Sequence, residues 1–149
     1  MGRQASTKEA LAATVWRRMF DFLISTSAQR QRVLADLDLT PNDSRALHTL
    51  DARAGRTMSS LAGEWACDAS NATWIVDRLE ARGLAERREQ PGDRRVKLVV
   101  LTPLGVKTRA QLREAMYEPP PELLALPKTA LQALEAATAA LSTEENRRR

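Results

Sequence analysis

The 149 residues contain one cysteine, Cys67, and one histidine, His48. One cysteine cannot close a disulfide within the chain, and one of each cannot build a His/Cys zinc cage, so no metal or other cofactor is expected. There is no G-x-S-x-G elbow, Walker loop or H-E-x-x-H pair, and no second His or Cys to couple a nucleophile to a base. An enzyme is not the expectation. No apolar run approaches the roughly 18 residues needed to cross a bilayer, and residues 1 to 10 lack the apolar centre of a signal peptide. A cytoplasmic protein with no membrane partner is expected. What the chain does have is a 43% apolar content and a formal charge of +4. That composition suits one folded unit burying roughly 68–70% of its unfolded surface, with a mild bias toward polyanionic partners.

The informative stretch runs from Asp68 to Thr102. Asp68 can accept hydrogen bonds from the first-turn N–H groups of a helix, with Asn71 in support. Ala72, Ile75, Val76 and Leu79 then recur at spacings of three and four, giving one apolar stripe, and Gly83 ends the helix as a C′ residue. Ser70, Asn71, Thr73, Trp74, Asp77 and Arg78 face elsewhere. Near the N-terminus that outward side has small hydrogen-bonding groups and no bulky charge cluster, which suits a close approach to base edges in a major groove. An ordinary solvated face reads equally well from this helix alone.

The following residues decide between those readings. Leu84–Gln90 and Arg95–Leu101 read as two short strands around Pro91-Gly92-Asp93-Arg94, because Pro and Gly supply the turn and Val96, Leu98 and Val100 alternate with their neighbours. From Arg78 to Lys97 there are seven Arg or Lys (78, 82, 87, 88, 94, 95, 97) against four acids (80, 86, 89, 93), a net of +3. Arg94 and Arg95 on a narrow turn can follow a phosphate backbone or enter a minor groove, where negative potential is concentrated. A helix, a Gly break and a basic hairpin in this order describe a winged helix-turn-helix.

Upstream, Thr40-Pro41-Asn42-Asp43 is a helix start, with Thr40 as N-cap, Pro41 at N1 and Asp43 at N3; the helix is expected to reach about Ala52. Ala54-Gly55-Arg56 breaks it. Thr57 or Ser59 opens the next helix, whose Leu61, Ala62 and Trp65 face inward, and Ala66-Cys67-Asp68 makes the turn into the capped helix. Cys67 is expected to be small packing material. His48, beside Leu47 and Leu50, reads as a hydrogen-bonded interior residue or as part of a ligand cavity.

LTPNDSRALHTL, SSLAGEWACDASNATWIVDRLEARGLAERR and PGDRRVKLVVLTPLG follow one another from residue 39 to 105. In that order and spacing they resemble the multiple-antibiotic-resistance-regulator (MarR) family of bacterial transcription factors. The resemblance implies a dimeric winged-helix protein that binds palindromic operator DNA, usually as a repressor, and that often loosens when a small phenolic or similar anionic compound binds. By position, Arg95 is then the minor-groove reader of the wing tip, Asp93 its orienting partner, and Arg94 a phosphate contact. Ser70, Asn71, Thr73 and Trp74 fall at recognition-helix positions, with Arg78, Arg87 and Arg88 as further DNA contacts. The family's effector pocket would draw on Trp16, Phe20 and His48. The bulky Trp74, where many relatives carry Arg or another polar residue, departs from the pattern and leaves a thymine methyl or a sugar as its contact.

The ends of the chain bear on assembly. In a first helix spanning about Lys8 to Ala35, Leu11, Val15, Met19 and Phe22 make one stripe and Trp16, Phe20 and Leu23 an adjacent one, an arc too wide for a single packing face. Thr102-Pro103 starts another helix through Leu104, Thr108, Leu112 and Met116, which Pro119-Pro120-Pro121 stops. A last helix from about Pro127 carries a thin stripe of Leu131, Leu134, Ala137 and Leu141. Paired with the first and fifth helices of a second subunit, that stripe completes a homodimer. Arg147-Arg148-Arg149 reads as a frayed tail. The expectation is thus a mainly α fold of about six helices with a small β-hairpin wing. Residues 40–101 form the DNA-binding domain, 1–39 and 102–145 a helical dimerisation region, and 146–149 a basic tail. Two rival readings use the same elements: a winged helix that binds an acidic protein, and a DNA-binding architectural protein without sequence preference.

Overall fold

The computed structural model describes residues 7–141. The basic tail at 146–149 lies outside them, as do residues 1–6. The described chain is mainly α with a small antiparallel sheet, as the sequence leads one to expect. Its elements are α1 (Thr7–Ser25), α2 (Ser27–Asp36), α3 (Pro41–Thr49), β1 (Arg56–Thr57), α4 (Met58–Glu64), α5 (Ala69–Ala81), β2 (Ala85–Gln90), β3 (Asp93–Leu101), α6 (Pro103–Met116), α7 (Pro121–Leu124) and α8 (Lys128–Ala139). They fall into two compact units, the first ending at Tyr117 and the second beginning at Glu118.

Eight helices among the described residues replace the expected six, for local reasons. The expected continuous first helix is divided into α1 and α2 at Thr26. There the Ser25 hydroxyl donates to the Phe22 carbonyl at 2.8 Å and the Thr26 hydroxyl to Leu23 at 3.1 Å, while Arg30 Nη2 donates to the same Leu23 oxygen at 2.7 Å. Side chains that compete for helical carbonyls bend or interrupt the ladder. The other added helix is the single turn α7, which begins at Pro121 after the proline run.

The helix-turn-helix is set by its caps. Thr40 and Asp43 form a reciprocal capping box at the start of α3. Thr57 Oγ1 accepts from Ser60 N–H at 3.2 Å to open α4, and Asp68 Oδ1 accepts from Asn71 N–H at 2.7 Å to open α5. Each bond satisfies a donor that the first turn leaves without an intrahelical partner. Ala66, with φ 49°, reverses the chain between α4 and α5, and Gly83, with φ 67°, ends α5 as the C′ residue.

The core of the first unit lies where these helices meet the sheet. Leu47 and Leu50 from α3 and its end, Leu61 and Trp65 from the α4 region, Ile75, Val76 and Leu79 from α5, Val99 and Leu101 from β3 and Leu112 from α6 are all buried. The α5 stripe is the one the spacing predicts. Complete burial of each such Leu or Ile contributes about 1.5–3 kcal/mol, which fixes the angle of α5 against α3 and α4.

The wing is a three-stranded sheet in the order β1-β3-β2, where a two-stranded hairpin is the sequence expectation. β1 is only two residues, pairing Arg56 with Val99 and Thr57 with Leu98. Two residues cannot show an alternating pattern, so the strand is invisible to periodicity. Pro91 and Gly92, the latter with φ 88°, turn β2 into β3. The ladder is regular from Ala85↔Leu101 to Glu89↔Lys97 and then jumps to Gln90↔Asp93. Arg94, Arg95 and Val96 therefore have no counterparts on β2 and form a bulged tip.

Candidate nucleic-acid interface

Two features of the first unit meet the chemical needs of a duplex: the outward side of α5 and the bulged tip of the sheet. On α5, Ser70, Asn71, Thr73 and Trp74 are all exposed, Trp74 to 54%. With the opposite stripe buried, these four side chains and the Ala69 methyl are what the helix offers to solvent near its N-terminus.

At the tip, Asp93 Oδ1 accepts from the Arg95 backbone N–H at 3.0 Å, an Asx-type bond that holds the bulge. Asp93 thus acts on the backbone of Arg95, and the Arg95 guanidinium has no ion-pair partner among the described residues. Arg94 has a side chain 91% exposed, with Glu89 at 3.7 Å. Lys97 also pairs with Glu89, at 3.0 Å, and Arg88 with Glu86.

The remaining basic candidates are tied into the protein. Arg87 is only 24% exposed; its Nη2 lies 2.7 Å from Asp77 Oδ1, its Nη1 bonds Glu80, and its backbone N–H donates to Glu80 Oε1 at 2.8 Å. Arg78, read from the sequence as outward-facing, turns toward α3 and donates from Nε to Asp43 Oδ2 at 3.0 Å. That hydrogen bond, followed by the charge of Asp43, raises the Arg78 pKa above its ordinary value. Arg82 donates to the carbonyls of Leu37 and Asp38. The sequence gives no cue to the Asp43–Arg78 or Glu80–Arg87 pairings, because in each the two partners lie in different elements, α3 and α5 or α5 and β2.

Asp43 itself was legible only as a capping residue. It is wholly buried; its Oδ2 accepts from both the Thr40 N–H, at 2.8 Å, and Arg78, and its Oδ1 has no partner among the described residues.

The candidate effector residues are placed differently. Trp16 and Phe20 lie together on α1 with ring centroids 6.2 Å apart, both at least half exposed. His48 is exposed on α3, its Nδ1 2.8 Å from the Ser44 carbonyl one turn back, so the interior position expected for it is not where it lies. At about 100° per residue His48 lies about 100° round the helix from the buried Leu47 and about 200° from the buried Ala46, which carries it out of the buried arc. Cys67 is partly buried against the core, as packing material should be. Among the described residues no group of three His, Cys, Asp or Glu side chains is arranged to hold a metal, and no helix is long and apolar enough to cross a membrane.

A helix-turn-helix followed by a β-ribbon defines a winged-helix protein. Residues 37–96 match the model of the MarR family. Among solved structures it is similar to the multiple-antibiotic-resistance repressor of Listeria monocytogenes, with a TM-score of 0.78 at 16% identity, covering 91% of this chain and 95% of that one. It is also similar to wild-type MarR of E. coli, with a TM-score of 0.63 at 23% identity, covering 85% and 96%. A third similar structure is a mutant MepR of S. aureus bound to an oligodeoxyribonucleotide, with a TM-score of 0.69 at 20% identity and coverage of 87% and 94%. At these identities the structures share the fold. No curated protein matches the sequence.

Proposed function

We propose that this protein is a sequence-specific DNA-binding transcriptional regulator of repressor type, which binds a palindromic operator as a homodimer. Residues 40–101 are assigned to DNA binding and 1–39 with 102–145 to dimerisation. The observation that carries the reading is the pairing of two exposed elements on one compact unit: the outward face of α5, and a bulged tip whose Arg94 and Arg95 stand clear of the ladder. The similarity to a MepR solved with an oligodeoxyribonucleotide supports it. Asn71 and Trp74 meet base edges, Ser70 and Thr73 base edges or phosphate, Arg94 phosphate and Arg95 a minor groove, with Asp93 holding the turn that presents it. Arg88 is a phosphate contact at the rim. Arg78 and Arg87 support the interface from within, since their guanidiniums are engaged by Asp43, Asp77 and Glu80.

The dimer follows from the exposed apolar face of α1, and a two-fold axis presents two copies of α5 to one side of a duplex. Release by a small aromatic or anionic effector at Trp16, Phe20 and His48 completes the proposal. Such a compound would lower DNA affinity by its preference for the released arrangement, on the order of 1–3 kcal/mol.

Competition binding on fragments of the source genome tests the reading. A regulator selects a palindrome with an affinity around 10⁻⁸ to 10⁻¹¹ M and half-sites about one helical turn apart. Uniform affinity for all fragments would indicate an architectural protein, and negligible binding an interaction module.

A further inference from the structure

Direct readout of guanine in a major groove most often uses the fork of an Arg or a Lys, whereas adenine is read by Asn or Gln and thymine by apolar contact with its C5-methyl group. The sequence of α5 contains one cation, Arg78, and Arg82 follows as its C-cap. Arg78 is turned away to the buried Asp43, and Arg82 is spent on the carbonyls of Leu37 and Asp38. Arg87, where β2 passes α5, covers Asp77 and Glu80. The helix is left with no cation free to fork onto a guanine. Outward stand the hydroxyls of Ser70 and Thr73, which can bond to any base, the Asn71 side-chain amide, without a partner among the described residues, and three positions on from it, hence beside it on the same face, the Trp74 indole.

We infer that α5 reads an A·T core in each half-site, with Asn71 paired to the N6 and N7 edge of an adenine and the Trp74 ring packed against the C5-methyl of a thymine on an adjacent step. This rests on the regulator reading above and adds the base identity that the regulator selects. An indole 54% exposed on an otherwise polar face gains most from contact with the one apolar group the major-groove edge displays. The two side chains, one apolar and one a donor-acceptor amide, together distinguish A·T from G·C without any positive charge.

The test uses the full chain and the fragment it prefers in the genomic competition, with each thymine replaced in turn by uracil, which removes only the methyl group. At one thymine per half-site, uracil is expected to weaken wild-type binding about fourfold, the worth of one buried methyl-sized group. The same replacement should leave Trp74→Ala unaffected, while Trp74→Phe retains part of the difference. Asn71→Ala is expected to lose discrimination at the neighbouring adenine. Half-sites with G·C at these steps, uracil without effect at every position, or an equal uracil penalty in Trp74→Ala would overturn the inference while leaving the regulator reading intact. Wild-type protein that prefers no fragment would overturn both. Trp74 is exposed, so its variants should melt with the wild type, and retained melting confirms that the comparison reads contact.

Discussion

The carboxylate of Asp43, wholly buried at the start of α3, accepts a hydrogen bond from Arg78 Nε at 3.0 Å and so ties α5 to the helix behind it. The same oxygen accepts the Thr40 N–H of the capping box, so one atom serves both the start of α3 and the seating of α5. Asp43→Ala should lower stability by about 1–3 kcal/mol, because a part-buried N–H and a guanidinium lose their acceptor. Asp43→Asn, which can keep an oxygen at the same place without the charge, should lose less. If the pair acts as one unit, Arg78→Ala destabilises the wild type but adds little to Asp43→Ala. Urea unfolding of the wild type, the three single variants and the double alanine variant checks this, and additive losses would show that the two residues act separately.

The arginines of the wing should separate into two kinds. Arg95→Ala is expected to reduce operator affinity by about 1–3 kcal/mol and to change sequence preference, with Tm unchanged, because its guanidinium has no ion-pair partner among the described residues to lose. Arg87→Ala should instead lower Tm, since Asp77 and Glu80 would face each other without the cation between them. Its effect on the salt dependence of DNA binding should be small beside that of Arg94→Ala, whose exposed side chain is available to phosphate. Melting and binding isotherms over a salt series distinguish the two kinds. A flattened salt slope with normal melting for Arg87→Ala would make it a phosphate contact.

Much of this arrangement is legible before any coordinates. The caps at Thr40, Thr57 and Asp68, the stripe Ala72, Ile75, Val76 and Leu79, and the turn at Pro91-Gly92 are local signals, and they stand where spacing puts them. What the sequence conceals is set by contacts between distant residues or by elements too short to have a period. β1 spans two residues and exists because β3 offers it an edge. The break at Thr26 depends on hydroxyls choosing carbonyls over solvent. Arg78 and Arg87 look like free charge on any helical or strand projection, and only the folded positions of Asp43, Asp77 and Glu80 withdraw them. His48 shows the converse error, since its sequence neighbours Leu47 and Leu50 are buried while its own direction on the helix is outward.

Two glycines in helices should respond to alanine in opposite directions. At Gly105, in the first turn of α6, an added Cβ would sit 1.9 Å from the Leu84 carbonyl oxygen, a backbone atom that also accepts the Thr102 N–H at 3.1 Å. Neither side can yield without disturbing the junction of β2, β3 and α6, so Gly105→Ala should cost about 1–3 kcal/mol, as other overpacked sites do. Gly63 in α4 has nothing within 4 Å of the same position. Gly63→Ala should therefore raise stability by about 0.5–1 kcal/mol through its better helix propensity. Thermal melting of both variants checks the contrast.

The loop before β1 carries a pH signature. Asp51 Oδ1 accepts the backbone N–H groups of Arg53, at 2.7 Å, and Ala54, at 3.0 Å, and these bonds, that of Ala54 foremost, hold its carboxyl below the usual range. A lowered folded-state pKa means that the contribution is fully present above the unfolded value, about 3.9, and is lost as pH falls through the folded one. Asp51→Ala should thus be less stable than wild type at neutral pH, with the gap closing in acid below the carboxylate range. Urea midpoints measured across that range test it; a gap constant with pH would assign the effect to something other than the charge.

The final prediction concerns α1, a helix of 19 residues with no buried side chain. Leu11, Val15, Trp16, Phe20, Leu23 and Ile24 are all exposed on it, between 46% and 66%. Helices in water owe most of their stability to packing of an apolar face, and a contiguous face of this extent is rarely left open on a soluble monomer. A second copy of the chain covers it in the proposed dimer, where an interface of roughly 800 Å² per partner would be an ordinary size. Leu23→Glu and Ile24→Glu together place two charges in that face and should convert the dimer to monomer in sedimentation equilibrium. Operator affinity should fall steeply with it, because a monomer engages one half-site and forfeits the second. The α5 residues are untouched, so the weak binding that remains should keep the half-site preference of the wild type. A double variant that stays dimeric would place the subunit contact elsewhere, and a monomeric one with undiminished operator affinity would remove the two-fold arrangement from the proposal.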